Sequence, residues 1–273
     1  MEKLLGSFFF KGKEIPFVEQ ITIYSEVQQI ISRYQFASKF VEGKDVLEVA
    51  CGSGYGGYYF MSKGAKTVTC GDLSESAIAY GKLNYVKKGL GFQVLNAAKL
   101  PFPDSSFDVI VSIETLEHVA GYEDFIRECG RVLKESGVFV CSTPDLNKTK
   151  DSPFLKNLTV VPDEQNFTVD ILRTLLRDYF KEISFYGTGH TSSYIDISRF
   201  KLQSFLKYFS YAYPKVGKVV KFVTRSKTLR MYRPMQLPIV EDFDGMLERA
   251  FIPYPLEENN NISPHTIITV ARK

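Results

Sequence analysis

The feature that most constrains the fold is a short apolar strand that runs directly into a glycine-rich turn. Residues 45–57 read Asp-Val-Leu-Glu-Val-Ala-Cys-Gly-Ser-Gly-Tyr-Gly-Gly. Glycine adopts positive φ angles without strain and lets a backbone approach a ligand closely. A turn of this kind after a first strand is how a doubly wound α/β fold builds a cofactor site. Gly52, Gly54 and Gly57 also fit the G-x-G-x-x-G dinucleotide fingerprint, so the turn alone does not choose the cofactor.

Apolar strands alternate with helices from residue 25 to residue 190, which predicts a parallel sheet covered on both faces. The predicted strands are 46–50, 67–70, 92–95, 109–112, 137–142 and 183–186. The predicted helices are 24–40, 58–63, 74–88, 124–133 and 169–178, the last with Thr168 as its N-cap. A further strand, 265–271, follows a long excursion, which predicts an insertion between the last two strands.

The composition is that of an ordinary globular chain of 273 residues, with 44% hydrophobic and 24% charged residues. No apolar run approaches the roughly 20 residues of a membrane-spanning helix, and Phe8-Phe9-Phe10 is too short for a signal sequence. The four cysteines have no paired metal spacing, so we expect reduced, buried thiols and a cytoplasmic protein. They are Cys51, Cys70, Cys129 and Cys141.

The region after His190 is basic and aromatic. Residues 199–233 contain ten Lys or Arg and no Asp or Glu, with aromatic residues interleaved. This pattern suits an anionic membrane surface or a lipid-linked substrate, and leaves open a solvated basic face on a cap. Nucleic acid is less favoured, because no nucleic-acid-binding fold is recognisable.

Two polar positions follow the next two predicted strands. Asp72 lies twenty residues after Gly52 at the end of the second strand, where an acid can accept both hydroxyls of a ribose. Its alternative role is an acid at the start of a helix. Asn96 follows the third strand and could accept from an exocyclic amine such as that of adenine, or be an ordinary turn residue.

A third polar group leaves the fourth strand at the edge where ligands bind in open α/β sheets. Glu114, Glu117 and His118 are spaced i, i+3 and i+4, so they share one face if the segment is helical. Such a cluster can remove a proton from a hydroxyl or hold a divalent metal that acidifies the hydroxyl. A capped helix start with a structural histidine is the alternative.

Taken together, these motifs resemble those of the class I S-adenosylmethionine-dependent methyltransferases with a methyltransferase type 11 domain. Within that class they are most similar to enzymes that modify cell-surface glycans and lipid-linked saccharides. The resemblance covers roughly residues 24–190. The segments that carry it are 33–37, 43–56, 71–74, 100–108, 112–119, 131–134, 142–144 and 166–168.

The resemblance implies a Rossmann-like seven-stranded α/β sheet whose last strand is antiparallel, with a helical insertion before that strand. Residues 1–190 and 264–273 would form the Rossmann-like methyltransferase domain, with residues 1–43 as a helical lid. Residues 191–263 would form the basic, aromatic-rich cap.

The resemblance also implies a set of residues that bind S-adenosylmethionine. Asp72 would hold the ribose, Leu73 would lie against the adenine, and Glu48 would steady the turn and reach the methionine amino group. Arg33 or Tyr34 would close over the methionine carboxylate, unless they are a surface arginine and a core tyrosine. The full implied set is Arg33, Tyr34, Glu48, Ala50, Cys51, Gly52, Gly54, Asp72, Leu73, Asn96, Ala97 and Ile113.

For chemistry, we expect His118 to act as the base, with Glu114 or Glu117 orienting it. Glu-x-x-Glu-His segments in polyprenyl-quinone and small-RNA methyltransferases can carry a metal, so Mg²⁺ at these three residues stays open. The expected reaction is O-methylation of a sugar or glycan hydroxyl. The alternatives are a quinone or other small acceptor, a non-catalytic cofactor-binding protein and, more weakly, a nicotinamide dehydrogenase.

Overall fold

The structure is a computed structural model that describes residues 30–145, 167–188, 253–256 and 266–273. The sequence-based predictions for residues 1–29 and for most of the insertion, including the basic segment 199–233, lie outside the described residues.

The described residues form one eight-stranded sheet in the order β3-β2-β1-β4-β5-β8-β6-β7. Its strands are β1 Asp45–Val49, β2 Thr67–Asp72, β3 Leu90–Val94, β4 Phe107–Ile113, β5 Leu133–Pro144, β6 Glu182–Thr188, β7 Tyr254–Pro255 and β8 Thr266–Arg272. The first five strands pair in parallel, and β8 is antiparallel to both β5 and β6. The predicted α/β class and the antiparallel last strand are therefore confirmed.

The sheet has one strand more than predicted. β7 consists of only two residues, which pair with Tyr186 and Gly187 of β6. Two residues carry no alternation of apolar and polar side chains, so the sequence offered no signal for this strand. It lies within the segment that was predicted to belong wholly to the cap.

Helices connect the strands at nearly the predicted places. They are α1 (residues 30–37), α2 Tyr55–Ser62, α3 Glu75–Asn84, α4 Tyr122–Val132 and α5 Val169–Leu176, with 3₁₀ helices at Ser38–Phe40 and Leu116–His118. Thr168 is the N-cap of α5, as predicted, because its side chain accepts from the Ile171 N–H at 3.3 Å. α2 begins three residues earlier than predicted, because Gly54 takes a left-handed conformation and starts it.

The core lies on both faces of the sheet, as expected for parallel strands. Val46 of β1 packs on one face with α1, α2 and α3, whereas Leu47 packs on the other face with α4 and α5. All four cysteines are free and buried, as predicted. Among the described residues, none of the helices has the length and apolar character needed to span a membrane.

Candidate functional site

The turn after β1 presents bare backbone at the carboxyl edge of the sheet. Ala50, Gly52 and Gly54 all have positive φ angles, of 58°, 54° and 86°. A Cβ added to Gly52 would meet no atom within 4 Å, whereas one on Gly54 would lie 2.2 Å from the Phe92 ring. The turn is therefore packed against Phe92 at Gly54 and open at Gly52. Glycine adopts the positive φ angles of these two positions without strain.

Asp72 ties this turn to the end of β2. Its Oδ2 accepts from the Gly52 N–H at 2.8 Å, and its Oδ1 accepts from the Ser74 N–H at 2.9 Å. Ser74, not Asp72, is the N-cap of α3, because its side chain accepts from the Ala77 N–H. Each carboxylate oxygen keeps a second lone pair that can accept a hydrogen bond from a hydroxyl group. Leu73 beside it is a large apolar side chain that is 73% exposed.

Asn96 lies next to Asp72, because the Leu95 N–H donates to the Asp72 carbonyl at 3.0 Å. Asn96 is exposed and forms a tight turn in which its Oδ1 accepts from the Ala98 N–H at 2.9 Å. It is thus a turn residue, and its Oδ1 retains a lone pair for a further donor. Ala97 is partly buried against the core beneath this turn.

Glu48 lies beneath the turn and not in its opening. It is 1% exposed, and its carboxylate accepts from the Tyr34 hydroxyl at 2.8 Å and from the Cys70 thiol at 3.4 Å. Burial raises the pKa of Glu48 to about 7. The Cys51 N–H donates to the Gly71 carbonyl at 3.0 Å, which fixes the turn to β2. Tyr34 and Glu48 therefore support the turn from inside the core.

Arg33 is buried at the ends of the central strands. It is 4% exposed, and its Nη2 donates to the Thr266 hydroxyl at 2.9 Å. Its Nη1 lies 3.6 Å from Oε1 of Glu114. The structure therefore brings Arg33 together with a predicted catalytic carboxylate, which the sequence analysis did not anticipate.

Glu114 begins the segment after β4 in a left-handed conformation, with φ +52°. Its N–H donates to the Ser142 carbonyl at 3.1 Å, and its Oε1 accepts from the Ser142 hydroxyl at 2.8 Å. Its side chain remains 28% exposed. Ile113, the last residue of β4, is partly buried against the core. Ser142 is thus a site residue that the sequence analysis included only within a matching motif.

Glu114, Glu117 and His118 would share one face only if their segment were helical, and the structure does not meet that condition. Only Leu116–His118 is helical, as a 3₁₀ helix, and the left-handed Glu114 lies outside it. Burial, followed by the neighbouring Glu114, raises the pKa of Glu117 well above its ordinary value, which favours the neutral acid. The His118 side chain is 53% exposed, with Nε2 3.8 Å from Oε1 of Glu117.

The expected metal option finds no support. Within the four described stretches of the chain, no three or more His, Cys, Asp or Glu side chains come together so as to hold a metal ion. The geometry gives the reason, since Glu114 is hydrogen-bonded to Ser142 while Glu117 is buried and His118 faces outward. Mg²⁺ therefore has no ligand set in this part of the protein.

Comparison with known proteins places this site in context. Residues 47–141 match the family described as "Methyltransferase domain". A relative named "Probable S-adenosylmethionine-dependent methyltransferase", from Mycobacterium tuberculosis, is 33% identical over 161 residues, which are 58% of this chain and 56% of the relative. The chain thus spans little more than half of that relative's length. A fatty-acid O-methyltransferase of Mycolicibacterium smegmatis is 36% identical over 101 residues, 37% of each protein.

The fold has solved counterparts as well. A SAM-dependent methyltransferase from Thermotoga maritima superposes with a TM-score of 0.56 at 15% identity, covering 94% of this chain and 96% of that one. At this identity the likeness shows the fold alone. Residues 47–141 thus match a methyltransferase domain, this stretch resembles relatives named as methyltransferases, and the fold is shared with a solved methyltransferase.

Proposed function

We propose that this protein transfers the methyl group of S-adenosylmethionine to a hydroxyl of a small-molecule or lipid-linked saccharide. The observation that carries the cofactor assignment is the open backbone turn at Gly52, held by Asp72 beside the exposed Leu73. This combination offers an acceptor for ribose hydroxyls, an apolar surface for a base and space for a chain to pass close to the backbone.

The residues present fit S-adenosylmethionine. Asp72 would accept the ribose hydroxyls, Leu73 would cover the adenine, and Asn96 with Ala97 would meet the adenine edge. The methionine part would pass over Gly52, where a Cβ would have nothing to contact. When bound, the cofactor supplies an already activated sulfonium methyl group.

The chain's own residues then have to orient the acceptor and take its proton. His118 is the accessible base, because half of its side chain reaches solvent at the carboxyl edge of the sheet. Glu114, fixed by Ser142 and flanked by Arg33, is a carboxylate held in one position that can orient a hydroxyl. Glu117, favoured as a neutral acid, can donate a hydrogen bond. Alignment of donor and acceptor can lower the barrier by several kcal/mol.

A saccharide acceptor is supported by the polar character of the strand ends. Thr143 of β5, Thr188 of β6 and Thr266 of β8 lie at the same edge of the sheet, where Thr188 pairs with Thr266. All three are buried polar residues. These side chains are closed to solvent, so they support the proposal only by giving this edge polar surroundings, which suit an acceptor rich in hydroxyls. The resemblance of the Cys-Gly-x-Gly-Tyr-Gly turn to glycan methyltransferases points the same way.

The Mycolicibacterium relative favours a second candidate, which is methylation of a fatty-acid carboxylate. Such an acceptor would need an apolar channel for its acyl chain. A quinone acceptor would need an apolar pocket as well, so polar strand ends count against both.

An acceptor screen tests the proposal. Purified protein is incubated with methyl-labelled S-adenosylmethionine and, separately, with nucleotide-linked sugars, lipid-linked sugars, long-chain fatty acids and a quinol. We expect label in a sugar fraction, with Asp72→Ala as the cofactor-site control. Label only in fatty acid or quinol would overturn the saccharide assignment. Cofactor binding without label in any acceptor would favour a non-catalytic binding protein.

We further propose that the basic segment 199–233 contacts an anionic membrane, since its ten cationic residues suit acidic headgroups. Flotation with phosphatidylglycerol vesicles, compared with phosphatidylcholine vesicles, measures this contact. Equal recovery with both vesicle types would contradict it.

A further inference from the structure

Arg131, near the end of α4, donates five hydrogen bonds from its guanidinium group, to Glu128 and to the segment 100–104. Nε and Nη2 donate to the two oxygens of Glu128, at 2.8 Å each. Nη2 also donates to the Leu100 carbonyl at 3.0 Å, while Nη1 donates to the Phe102 carbonyl at 2.8 Å and to Asp104 at 2.7 Å. Because arginine has five donors in one plane, this geometry fixes the position of the bound segment.

Glu128 completes the attachment. Its Oε2 accepts from the Leu100 N–H at 2.8 Å, so both backbone polar groups of Leu100 are held by the Glu128–Arg131 pair. The Arg131 guanidinium holds the pKa of Glu128 below its usual value, which keeps the carboxylate charged. The Leu100 side chain is 3% exposed, so the attachment point is buried in the core.

The segment that begins at Leu95 and ends at Leu100 is therefore fixed at both ends. At its start, the Leu95 N–H donates to the Asp72 carbonyl at 3.0 Å. Between the ends lies the tight turn of Asn96, whose carbonyl accepts from the Lys99 N–H at 3.1 Å. The location of Asn96 relative to Asp72 is set by these two attachments.

We infer that Glu128 and Arg131 are positioning residues for adenine recognition: by fixing Leu100 they hold Asn96 where it distinguishes a 6-amino from a 6-oxo purine. Neither residue touches the ligand. The inference rests on the proposed binding of S-adenosylmethionine, and it assigns base selectivity to a pair on α4 that lies outside the cofactor turn.

The test measures selectivity, which a merely structural role would not change. Calorimetry compares S-adenosylhomocysteine with S-inosylhomocysteine, in which a 6-oxo group replaces the 6-amino group, on wild type and Arg131→Lys. Lysine keeps the charge but cannot hold five acceptors in one plane. The matched control is Arg127→Lys on the same helix, since Arg127 pairs only with the exposed Asp124 among the ion pairs of the described residues, at 2.6 Å.

We expect Arg131→Lys to reduce the preference for the adenine ligand about tenfold, the effect of one lost hydrogen bond of roughly 1.4 kcal/mol. Arg127→Lys should keep the wild-type ratio. A second variant, Glu128→Gln, retains an acceptor for the Leu100 N–H but not the ion pair, and should lie between wild type and Arg131→Lys. If Arg131→Lys does not fold, the ligand preference of Glu128→Gln tests the positioning role instead.

Equal weakening of both ligands, or an unchanged ratio in both variants, would overturn the positioning role. Absence of S-adenosylhomocysteine binding to the wild type is a different result. It would overturn the proposed cofactor, and the inference with it.

Discussion

At the scale of single residues, Asp72 both shapes the glycine-rich turn and faces the proposed cofactor site. Its two oxygens accept from Gly52 and Ser74, so the same carboxylate that shapes the turn stands at its opening. Leu73, next in the chain, is left 73% exposed. The Asp72 carboxylate can accept further hydrogen bonds, and an exposed leucine beside it is a surface that a bound base could cover. This pairing is typical of a nucleoside-binding surface and not of an ordinary solvated one.

Asp72→Ala should therefore weaken S-adenosylhomocysteine binding by about 1–3 kcal/mol, because charge-assisted hydrogen bonds are lost. Isothermal titration calorimetry measures the change. Glu75→Ala, which removes an exposed acid from the first turn of α3, is the matched control and should bind like wild type. Unchanged affinity in the Asp72 variant would remove Asp72 from the ribose site.

His118→Ala should slow methyl transfer by roughly 10²–10⁴-fold, the usual contribution of a positioned base. Cofactor affinity should stay nearly the same, because His118 lies on the 3₁₀ helix after β4 and not on the turn proposed to bind the cofactor. Single-turnover rates on the acceptor found by the screen give the number. A wild-type rate would show that another group takes the proton.

At the scale of elements, the decisive contact is the close approach of α2 to β1. A Cβ on Gly56 would lie 2.1 Å from the Tyr34 ring and 2.2 Å from Oε1 of Glu48. Tyr34 and Glu48 are themselves hydrogen-bonded at 2.8 Å and buried. Glycine at this position lets the helix dock directly onto the strand that carries the glycine-rich turn.

Gly56→Ala should consequently destabilise the fold by about 1–3 kcal/mol, the typical effect of overpacking a core. Gly91→Ala in edge strand β3 is the control, because a Cβ there meets no atom within 4 Å. Urea unfolding of both variants gives the comparison. Equal stabilities would mean that the contact between α2 and β1 is not tight.

Apart from the two-residue β7, the strands and helices could be predicted from sequence because each has its own period and its own end signals, as Thr168 and Ser74 show. The left-handed backbone conformation of Glu114 could not be predicted in this way. A positive φ at a non-glycine residue is imposed by partners far along the chain, here Ser142. For the same reason, the i, i+3, i+4 spacing could not tell whether the segment after β4 is helical, and the chain makes only a short 3₁₀ helix there.

At the scale of the whole molecule, the core keeps two carboxylic acids out of water at the functional edge. Burial raises the pKa of Glu48 to about 7, and raises that of Glu117 well above its ordinary value. These two acids could be placed from the sequence, since Glu48 lies near the end of β1 and Glu117 follows β4. Their burial was not, because it depends on helices and strands that meet only in the folded sheet.

This burial predicts a pH dependence of stability. Because the pKa of Glu48 rises from 4.5 to about 7 on folding, the folded state binds its proton more tightly than the unfolded state does. The stabilisation is complete below about pH 4.5 and is lost as the pH rises through 7, by at most about 3 kcal/mol at roughly 1.4 kcal/mol per unit.

Glu48→Gln should remove this part of the slope, because glutamine stays neutral at every pH. The stability of the variant relative to wild type should therefore rise between pH 5 and pH 8. Urea unfolding at several pH values measures the difference. Because the pKa of Glu117 is raised as well, the variant keeps some pH dependence of stability. The test therefore compares the variant with wild type at each pH. Parallel curves would contradict the buried, protonated Glu48.

The most direct test of the account is calorimetric titration of the protein with S-adenosylhomocysteine, with and without Mg²⁺, alongside Gly52→Val. We expect micromolar binding to the wild type, the same affinity in both conditions, and loss of binding in the variant. Valine at this position disfavours the φ of +54° and fills the opening of the turn. No binding to the wild type in either condition would mean that the turn serves another ligand.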